Sequence, residues 1–172
     1  LVRLLNIQKG EVVLDLACGQ GFFSREVFKI GARVIGVDVS KELITFAKNH
    51  SSSEIRYEVT PAHVLRFLPK DSVEKIVCVL AIQNIENVKE VFEECARVLK
   101  SGSKMYFVLT HPAFRVSHES SWGWDEEKKI QYRRIDSYLS ESKEKIQIHP
   151  GDKPSEYTFT FHRPLQFYFK AL

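Results

Sequence analysis

Asp15 and the glycine turn that follows it have the residue types and the spacing of a ligand-binding site. Asp15 lies inside the apolar run Val12–Leu16, which leads into the turn 18–21 (Cys-Gly-Gln-Gly) and then into an amphipathic segment from Phe22. This order is typical of a buried strand, a tight turn and a helix N-terminus, where glycines admit a ligand and free N–H groups bind anions. An ordinary turn between a strand and a helix is the alternative.

A second acid, Asp38, ends the next apolar run, one strand and one helix after the glycine turn. In nucleotide-binding folds, a carboxylate at the end of the second strand binds the ribose hydroxyls of an adenosine-containing cofactor. Capping of the following helix is the alternative role for Asp38. The glycine turn one unit earlier favours ribose binding.

Two families of nucleotide sites use such a turn, and the spacing distinguishes them. The dinucleotide pattern G-x-G-x-x-G would need its third glycine at Ser24, and it does not include Asp15. Residues 15–21 instead resemble the first motif of class I S-adenosylmethionine-dependent methyltransferases, an acid-x-Gly-x-Gly-x-Gly pattern. Ala17 stands where the first glycine usually is, and alanine fits there if its φ angle is negative.

The resemblance extends over the first 110 residues and, more loosely, over 162–165. Pro61 stands where the family has an acid that receives the adenine amino group, and proline cannot make that hydrogen bond. Gln83 stands where many members have histidine. Residues 97–102 are similar to the Leu-Lys-Pro-Gly-Gly turn of the family, which has a structural role.

The resemblance implies S-adenosylmethionine as the cofactor, S-adenosylhomocysteine as its product, and methyl transfer to a small-molecule acceptor. The residues that it implies for cofactor binding are Asp15, Ala17, Cys18, Gly19, Gly21, Asp38, Val39, Ala62 and Leu80. Two other functions stay open. One is a non-catalytic S-adenosylmethionine-binding or regulatory subunit. The other is an NAD-dependent oxidoreductase, which the missing third glycine disfavours.

Strand-like and helix-like patterns alternate along the first 110 residues. The predicted strands are 12–16, 32–37, 54–59, 72–80 and 104–110. The alternation predicts an α/β fold with a Rossmann-like, doubly wound, mostly parallel sheet and helices on both faces. Ligands of such sheets bind at the carboxyl ends of the strands, where the glycine turn and Asp38 lie.

Local signals predict where the helices begin and end. Ser40 is expected to cap the helix after the second strand, and the Thr-Pro pair at 60–61 to start another after the third. Asn87 and Glu90 form a predicted capping pair for the next helix. The Ser-Gly pair at 101–102 is expected to end that helix.

The periodic pattern is lost from His111 onward. Short strands or irregular segments are expected at 131–138, 145–149 and 157–161, with a turn cluster at 150–154 and a helix after Pro164. We expect one domain over residues 1–172, divided into a cofactor-binding core 1–110, a lid-like acceptor-side insertion 111–163 and the start of a further helix 164–172. The final strands of the family would then be missing. This predicts a fragment or a shortened sheet, whose open edge favours a homodimer.

Methyl transfer needs in-line positioning, and a base when the nucleophile carries a proton. His111 is the predicted base because it follows the fifth strand at the ligand-binding edge. Further candidates for the acceptor pocket are Arg115, Trp122, Trp124, Tyr132, Arg134, Tyr138 and His162. The tryptophans could instead pack the insertion onto the sheet, and Arg133 and Arg134 could lie on a solvated face that balances Glu126 and Glu127.

Length and composition set further bounds. A chain of 172 residues that is 44% hydrophobic fits one well-filled domain, and a net charge of +3 is too small to indicate a nucleic-acid partner. No apolar run reaches the roughly 20 residues of a membrane span. Three cysteines without C-x-x-C spacing predict reduced thiols and a cytoplasmic location. The scattered histidines predict no metal site.

Overall fold

The computed structural model describes residues 1–114, 120–147 and 157–172. They form two compact units. Unit 1 consists of Leu1–Ile82 and Asn87–Val108, and unit 2 consists of Gln83–Glu86 and Leu109–Leu172. Most of residues 1–110 lie in unit 1, whereas the short segment after Ile82 lies in unit 2.

Unit 1 contains a five-stranded sheet in which every pair of neighbouring strands is parallel. The strands are β1 Val12–Leu16, β2 Arg33–Asp38, β3 Arg56–Val59, β4 Val73–Val79 and β5 Leu99–Val108. Their order, β3-β2-β1-β4-β5, reverses direction between β1 and β4. Because parallel crossovers are right-handed, this reversal places the connections before and after it on opposite faces. The predicted doubly wound α/β fold is confirmed.

Four helices connect or precede these strands: α1 Val2–Leu5, α2 Phe22–Lys29, α3 Lys41–Asn49 and α4 Val88–Val98. The predicted cap of α3 is present, because the Ser40 hydroxyl accepts a hydrogen bond of 3.2 Å from the Leu43 N–H. The core side chains of α4 are buried as the 3-4 repeat predicts: Val88, Val91, Phe92, Cys95 and Val98.

The helix predicted from the Thr-Pro pair at 60–61 is wrong, since turns follow β3. Side chains of α4 bind the backbone groups that a helix would have paired. The Glu94 carboxylate accepts from the Leu65 N–H at 2.9 Å. The Arg97 guanidinium donates to the carbonyls of Leu65 and Leu68 at 2.9 and 3.0 Å. Backbone hydrogen bonds are therefore satisfied without helix formation.

Two predictions at the ends of α4 are also wrong. Asn87 is the N-cap residue, but its side chain makes no capping hydrogen bond and its amide lies 3.4 Å from His63 Nε2. The helix ends at Val98, before the Ser-Gly pair, and Leu99 already belongs to β5. The reason is that the carbonyls of Arg97 and Val98 accept from the backbone N–H groups of residues 71 and 72, which lead into β4.

Unit 2 contains two antiparallel strand pairs and a helix. The pairs are β6 Ser120–Asp125 with β7 Ile130–Ile135, and β8 Ser142–Gln147 with β9 Tyr157–His162. The helix α5, Leu165–Ala171, follows Pro164 as predicted. Strand β6 was not predicted because it has no apolar alternation. It is paired along its length with β7, and the Tyr132 ring lies where a side chain on Gly123 would be. The turn cluster at 150–154 lies outside the described residues.

Candidate functional site

The glycine loop joins the end of β1 to the start of α2, and Asp15, a buried residue of β1, stabilises it. Asp15 is only 3% exposed, and its carboxylate accepts a 2.6 Å hydrogen bond from the Ser24 hydroxyl in the first turn of α2. The Gly21 N–H donates to the Cys18 carbonyl at 2.9 Å, which closes the loop. Asp15 therefore holds the helix start against the strand that leads into the loop.

Burial governs the ionisation of two groups in this loop. Loss of solvation raises the pKa of Asp15 to about 6, although hydrogen bonds from Ser24 act in the opposite direction. Burial also raises the pKa of the Cys18 thiol, with the nearby Asp15 and Asp38 carboxylates adding to the effect. Cys18 is therefore protonated near neutral pH, and its position does not suit a thiolate nucleophile.

The backbone at Ala17 differs from the expectation of a negative φ angle, because φ is +56°. This is the left-handed region that the glycine of the family motif reaches without strain and that alanine reaches at a cost of about 1 kcal/mol. Ala17 therefore has a backbone conformation that favours glycine, the residue usual at this place of the motif.

A buried tyrosine, which the sequence reasoning did not single out, packs under the loop. A Cβ atom on Gly21 would clash with the Tyr57 hydroxyl and would lie 3.0 Å from both Tyr57 Cζ and Ala47 Cβ. The same ring lies against Gly36 of β2, where a Cβ atom would come within 2.7 Å of Tyr57 Cε1. These two glycines are therefore required by packing against Tyr57.

Asp38 and the glycine loop, both predicted site features, are joined directly. Asp38 Oδ2 accepts from the Gly19 N–H at 2.8 Å, and its Oδ1 accepts from the Ser40 N–H at 2.9 Å. The Asp38 carbonyl accepts from the Thr60 N–H at 2.9 Å, which ties the end of β2 to the segment after β3. The carboxylate is thus oriented by two backbone amides at the carboxyl edge of the sheet.

The other predicted cofactor residues of unit 1 follow the carboxyl ends of β2, β3 and β4. The side chains of Val39 and Leu80 are 71% and 53% exposed, which is unusual for large apolar residues next to buried strands. Ala62 is half-buried, and Pro61 before it is exposed. A side chain on Gly19 would meet no atom within 4 Å. This edge therefore combines an oriented carboxylate, open space beside a glycine and apolar surface, and it fits an adenosine-containing cofactor.

The candidate acceptor residues lie in unit 2. His111 is exposed, and its Nδ1 accepts from the Ala113 N–H at 3.2 Å. Trp122 and Trp124 are exposed, and Arg134 pairs with Asp136 at 2.9 Å on the surface. Tyr132 lies over Gly123, whereas Arg115 lies outside the described residues.

Three other residues of unit 2 are more enclosed than these. His162 and Arg163 are buried, and the Arg163 guanidinium donates to the carbonyls of Ile85 and Glu86 at 2.8 Å. The Tyr138 hydroxyl accepts from the Leu165 N–H at 3.0 Å. The hydrogen bonds of Arg163 to these two carbonyls were not predicted. In the sequence, residues 162–165 stood out only by a looser resemblance to the family.

Two kinds of feature are absent from the described residues. No group of three or more His, Cys, Asp or Glu side chains is placed to hold a metal ion. No helix in this part of the chain is both long and apolar enough to cross a membrane.

Comparison with known proteins agrees with this geometry. A family model described as a methyltransferase domain matches residues 14–107, more than half of the chain. An S-adenosylmethionine-dependent methyltransferase from Mesorhizobium loti has a TM-score of 0.79 at 27% identity, with 99% of this chain and 76% of that chain covered. A protein from Listeria monocytogenes, described as a putative methyltransferase of the same kind, has a TM-score of 0.78 at 25% identity, covering 99% and 80%.

Curated relatives match part of this chain. A ubiquinone biosynthesis O-methyltransferase from Coxiella burnetii is 33% identical over 125 residues, which are 67% of this chain and 52% of that protein. One from Xanthomonas oryzae pv. oryzae is 30% identical over 100 residues, 56% of this chain and 42% of that protein. The chain spans about half the length of the curated relatives it matches.

The parallel sheet, the glycine loop and the Asp38 carboxylate define a Rossmann-like nucleotide-cofactor domain. More particularly, the chain belongs to the methyltransferase domain family and has the fold of class I S-adenosylmethionine-dependent methyltransferases.

Proposed function

We propose that this domain transfers a methyl group from S-adenosylmethionine to a hydroxyl group of a small-molecule acceptor. The observation that carries the proposal is the Asp38 carboxylate, held at the sheet edge by the N–H groups of Gly19 and Ser40. When bound, the cofactor supplies a methyl group on a positively charged sulfur.

The residues of unit 1 suit the parts of this cofactor. Each Asp38 oxygen accepts one backbone N–H, and a carboxylate has about four acceptor positions, so positions remain for the two ribose hydroxyls. The exposed side chains of Val39 and Leu80 offer apolar contact to the adenine and the methionyl chain. Pro61 offers no carboxylate to the adenine amino group, which leaves that group to the backbone near Ala62. Asp15 is assigned to support of the loop rather than to direct contact.

The choice of an oxygen nucleophile is supported by the curated relatives, whose names describe O-methyltransferases. A hydroxyl nucleophile must lose its proton during methyl transfer, so an acceptor site needs a hydrogen-bond acceptor for it. The lid role of residues 111–163 and the base role of His111 stay predictions, as do the homodimer, the cytoplasmic location and the absence of a nucleic-acid partner.

A second candidate is a non-catalytic subunit that binds the same cofactor. Pro61 favours it, because an acid of the family motif is absent there. Detection of a methylated product with any acceptor would exclude this candidate, whereas cofactor binding alone is compatible with both functions. An NAD-dependent oxidoreductase predicts binding of NAD instead.

Calorimetric titration with S-adenosylhomocysteine tests the cofactor assignment. We compare the wild type with Asp38→Asn and with the matched control Asp71→Asn, which makes the same change in an exposed turn of unit 1. Loss of the charge-assisted acceptor at Asp38 is expected to weaken binding by about tenfold or more, and the control should bind like the wild type.

NAD is titrated in parallel, and urea unfolding confirms that each variant is folded. Absence of S-adenosylhomocysteine binding to the folded wild type, or equal binding by Asp38→Asn and Asp71→Asn, would contradict the proposed site. Tight binding of NAD alone would favour the oxidoreductase.

A further inference from the structure

The peptide unit between Gln20 and Gly21 lies in the glycine loop, and both of its polar groups are hydrogen-bonded within unit 1. Its N–H belongs to Gly21 and donates to the Cys18 carbonyl at 2.9 Å. Its carbonyl belongs to Gln20 and accepts from Arg25 Nη1 at 2.7 Å. Because a peptide unit is planar, bonds at both groups fix its rotation. Arg25 therefore helps to set the orientation of this part of the loop.

The position of Arg25 in α2 explains why a side chain makes this bond. Gly21 is the N-cap of α2, and its carbonyl accepts the first helical hydrogen bond from the Arg25 N–H at 3.0 Å. Gln20 precedes the cap, so the helix provides no backbone N–H for its carbonyl. Arg25 thus bonds two successive carbonyls, one through its backbone and one through its guanidinium.

The same guanidinium is linked to the tyrosine that packs under the loop. Arg25 Nη1 also donates to Ser51 Oγ at 3.4 Å, at the long end of the hydrogen-bond range. Ser51 Oγ lies 3.0 Å from the Tyr57 hydroxyl, which occupies the space where a Cβ atom on Gly21 would be. Arg25, Ser51 and Tyr57 therefore form a support that contacts the loop at two adjacent residues.

The supported peptide unit is next to a residue that bonds the proposed ribose-binding carboxylate. Gly19 precedes Gln20 in the loop, and its N–H donates to Asp38 Oδ2 at 2.8 Å. A change in the Gln20 peptide plane would therefore act directly on the residue that orients Asp38. A loop that is already held in its binding conformation avoids the cost of becoming ordered when a ligand binds.

We propose that Arg25 is a positioning residue for the cofactor loop, an inference that rests on the proposed function. The guanidinium holds the Gln20 carbonyl, and Ser51 and Tyr57 hold the guanidinium and the glycine beside it. This support keeps the loop in its binding conformation before the cofactor arrives. Loss of the guanidinium is therefore expected to weaken cofactor binding and to loosen the loop.

Calorimetric titration of the full chain with S-adenosylhomocysteine tests the effect on binding. Arg25→Gln, which loses the charge-assisted bond to the Gln20 carbonyl, is expected to bind about fivefold more weakly or worse. Arg25→Lys retains a charged donor and should recover part of the affinity. Arg33→Gln removes an exposed guanidinium at the start of β2 and is the matched control, which should bind like the wild type.

Two further measurements separate positioning from a general loss of stability. Ser51→Ala and the double variant with Arg25→Gln complete a cycle, and the double variant should bind about as weakly as Arg25→Gln alone because both residues act in one support. Amide exchange at Gly21, measured without ligand, should be faster in Arg25→Gln than in Arg33→Gln. Urea unfolding should place these two variants at similar stability.

Three outcomes would overturn the role of Arg25: equal binding by Arg25→Gln and Arg33→Gln, unchanged exchange at Gly21, or a double variant whose loss of affinity is the product of the two single losses. If Arg25→Gln does not fold, Ser51→Ala decides, since it should still weaken binding and speed exchange at Gly21. Failure of the wild type to bind S-adenosylhomocysteine would contradict the cofactor assignment, and exchange at Gly21 would still test whether Arg25 holds the loop.

Discussion

The Tyr57 hydroxyl occupies the space into which any side chain on Gly21 would project. Tyr57 comes from β3 and Gly21 from the loop after β1, so the loop that defines the family motif is shaped by a residue far along the chain. The Tyr57 hydroxyl also lies 3.0 Å from Ser51 Oγ, which holds the ring in this position. The packing of this ring is therefore part of the cofactor loop.

Gly21→Ala is expected to destabilise the protein by about 3 kcal/mol, because alanine would combine a left-handed backbone with a steric clash. Gly102→Ala is the matched control: Gly102 also has a positive φ, but nothing lies within 4 Å of its added Cβ. That variant should lose only about 1 kcal/mol. Urea unfolding measures both. Adding Tyr57→Phe to Gly21→Ala should recover part of the loss, and equal effects of the two glycine substitutions would show that the clash is unimportant.

Asp15→Asn is expected to stabilise the protein above pH 6. The pKa of Asp15 is raised to about 6 in the folded state from an ordinary value of 3.8, so the folded protein binds the proton more tightly. The contribution of Asp15 to the free energy of unfolding therefore falls as the pH rises from about 4 to about 6 and stays low above that range. Asparagine removes this loss of stability, which is about 3 kcal/mol.

Urea unfolding of the wild type and Asp15→Asn at several pH values between 4 and 8 checks the sign. The difference in unfolding free energy should be small near pH 4 and largest above pH 6. Asp71→Asn, an exposed acid, should show no comparable trend. A variant that is less stable than the wild type at pH 7.5 would show that the charged form of Asp15 is favoured by its surroundings.

Arg97→Lys is expected to loosen the segment between β3 and β4. Arg97 donates to the carbonyls of Leu65 and Leu68 while it pairs with Glu94, and lysine cannot reach all three partners. Loss of the two carbonyl contacts should cost about 1–3 kcal/mol of unfolding free energy. The exposed Arg66→Lys is the control and should change stability by about 0.5 kcal/mol or less.

Amide hydrogen exchange locates the effect of Arg97→Lys. Arg97 binds the carbonyls of Leu65 and Leu68, and the N–H groups of these two residues are also hydrogen-bonded. Exchange at these two N–H groups should become faster in Arg97→Lys and remain unchanged in Arg66→Lys. Equal exchange in both variants would mean that the turns are held by other contacts.

Much of unit 1 follows from short stretches of sequence. Strand β1 was predicted with the observed bounds, α2 with its observed start at Phe22, and the cap of α3 at Ser40 with its hydrogen bond. These features depend on residues within a few positions of one another. The glycine loop and Asp38 were expected at one edge, because parallel strands place their carboxyl ends together, and the structure adds a hydrogen bond between Gly19 and Asp38.

Prediction failed where a distant side chain decides the local backbone. The Thr-Pro pair at 60–61 is a good helix start by itself, yet Glu94 and Arg97 bind the backbone that follows and keep it in turns. Strand β6 lacks an apolar pattern and is a strand because β7 lies beside it.

From the residues alone, the parallel character of the sheet, the glycine loop and the place of Asp38 at the end of the second strand were already determined, since periodicity, caps and strand ends are short-range properties. Only the tertiary structure decided that Gly21 is required by Tyr57 and that Glu94 and Arg97 bind the backbone of the segment after β3. Each of these depends on atoms brought together by the fold from distant positions, and contacts of this kind leave no periodic trace in the chain.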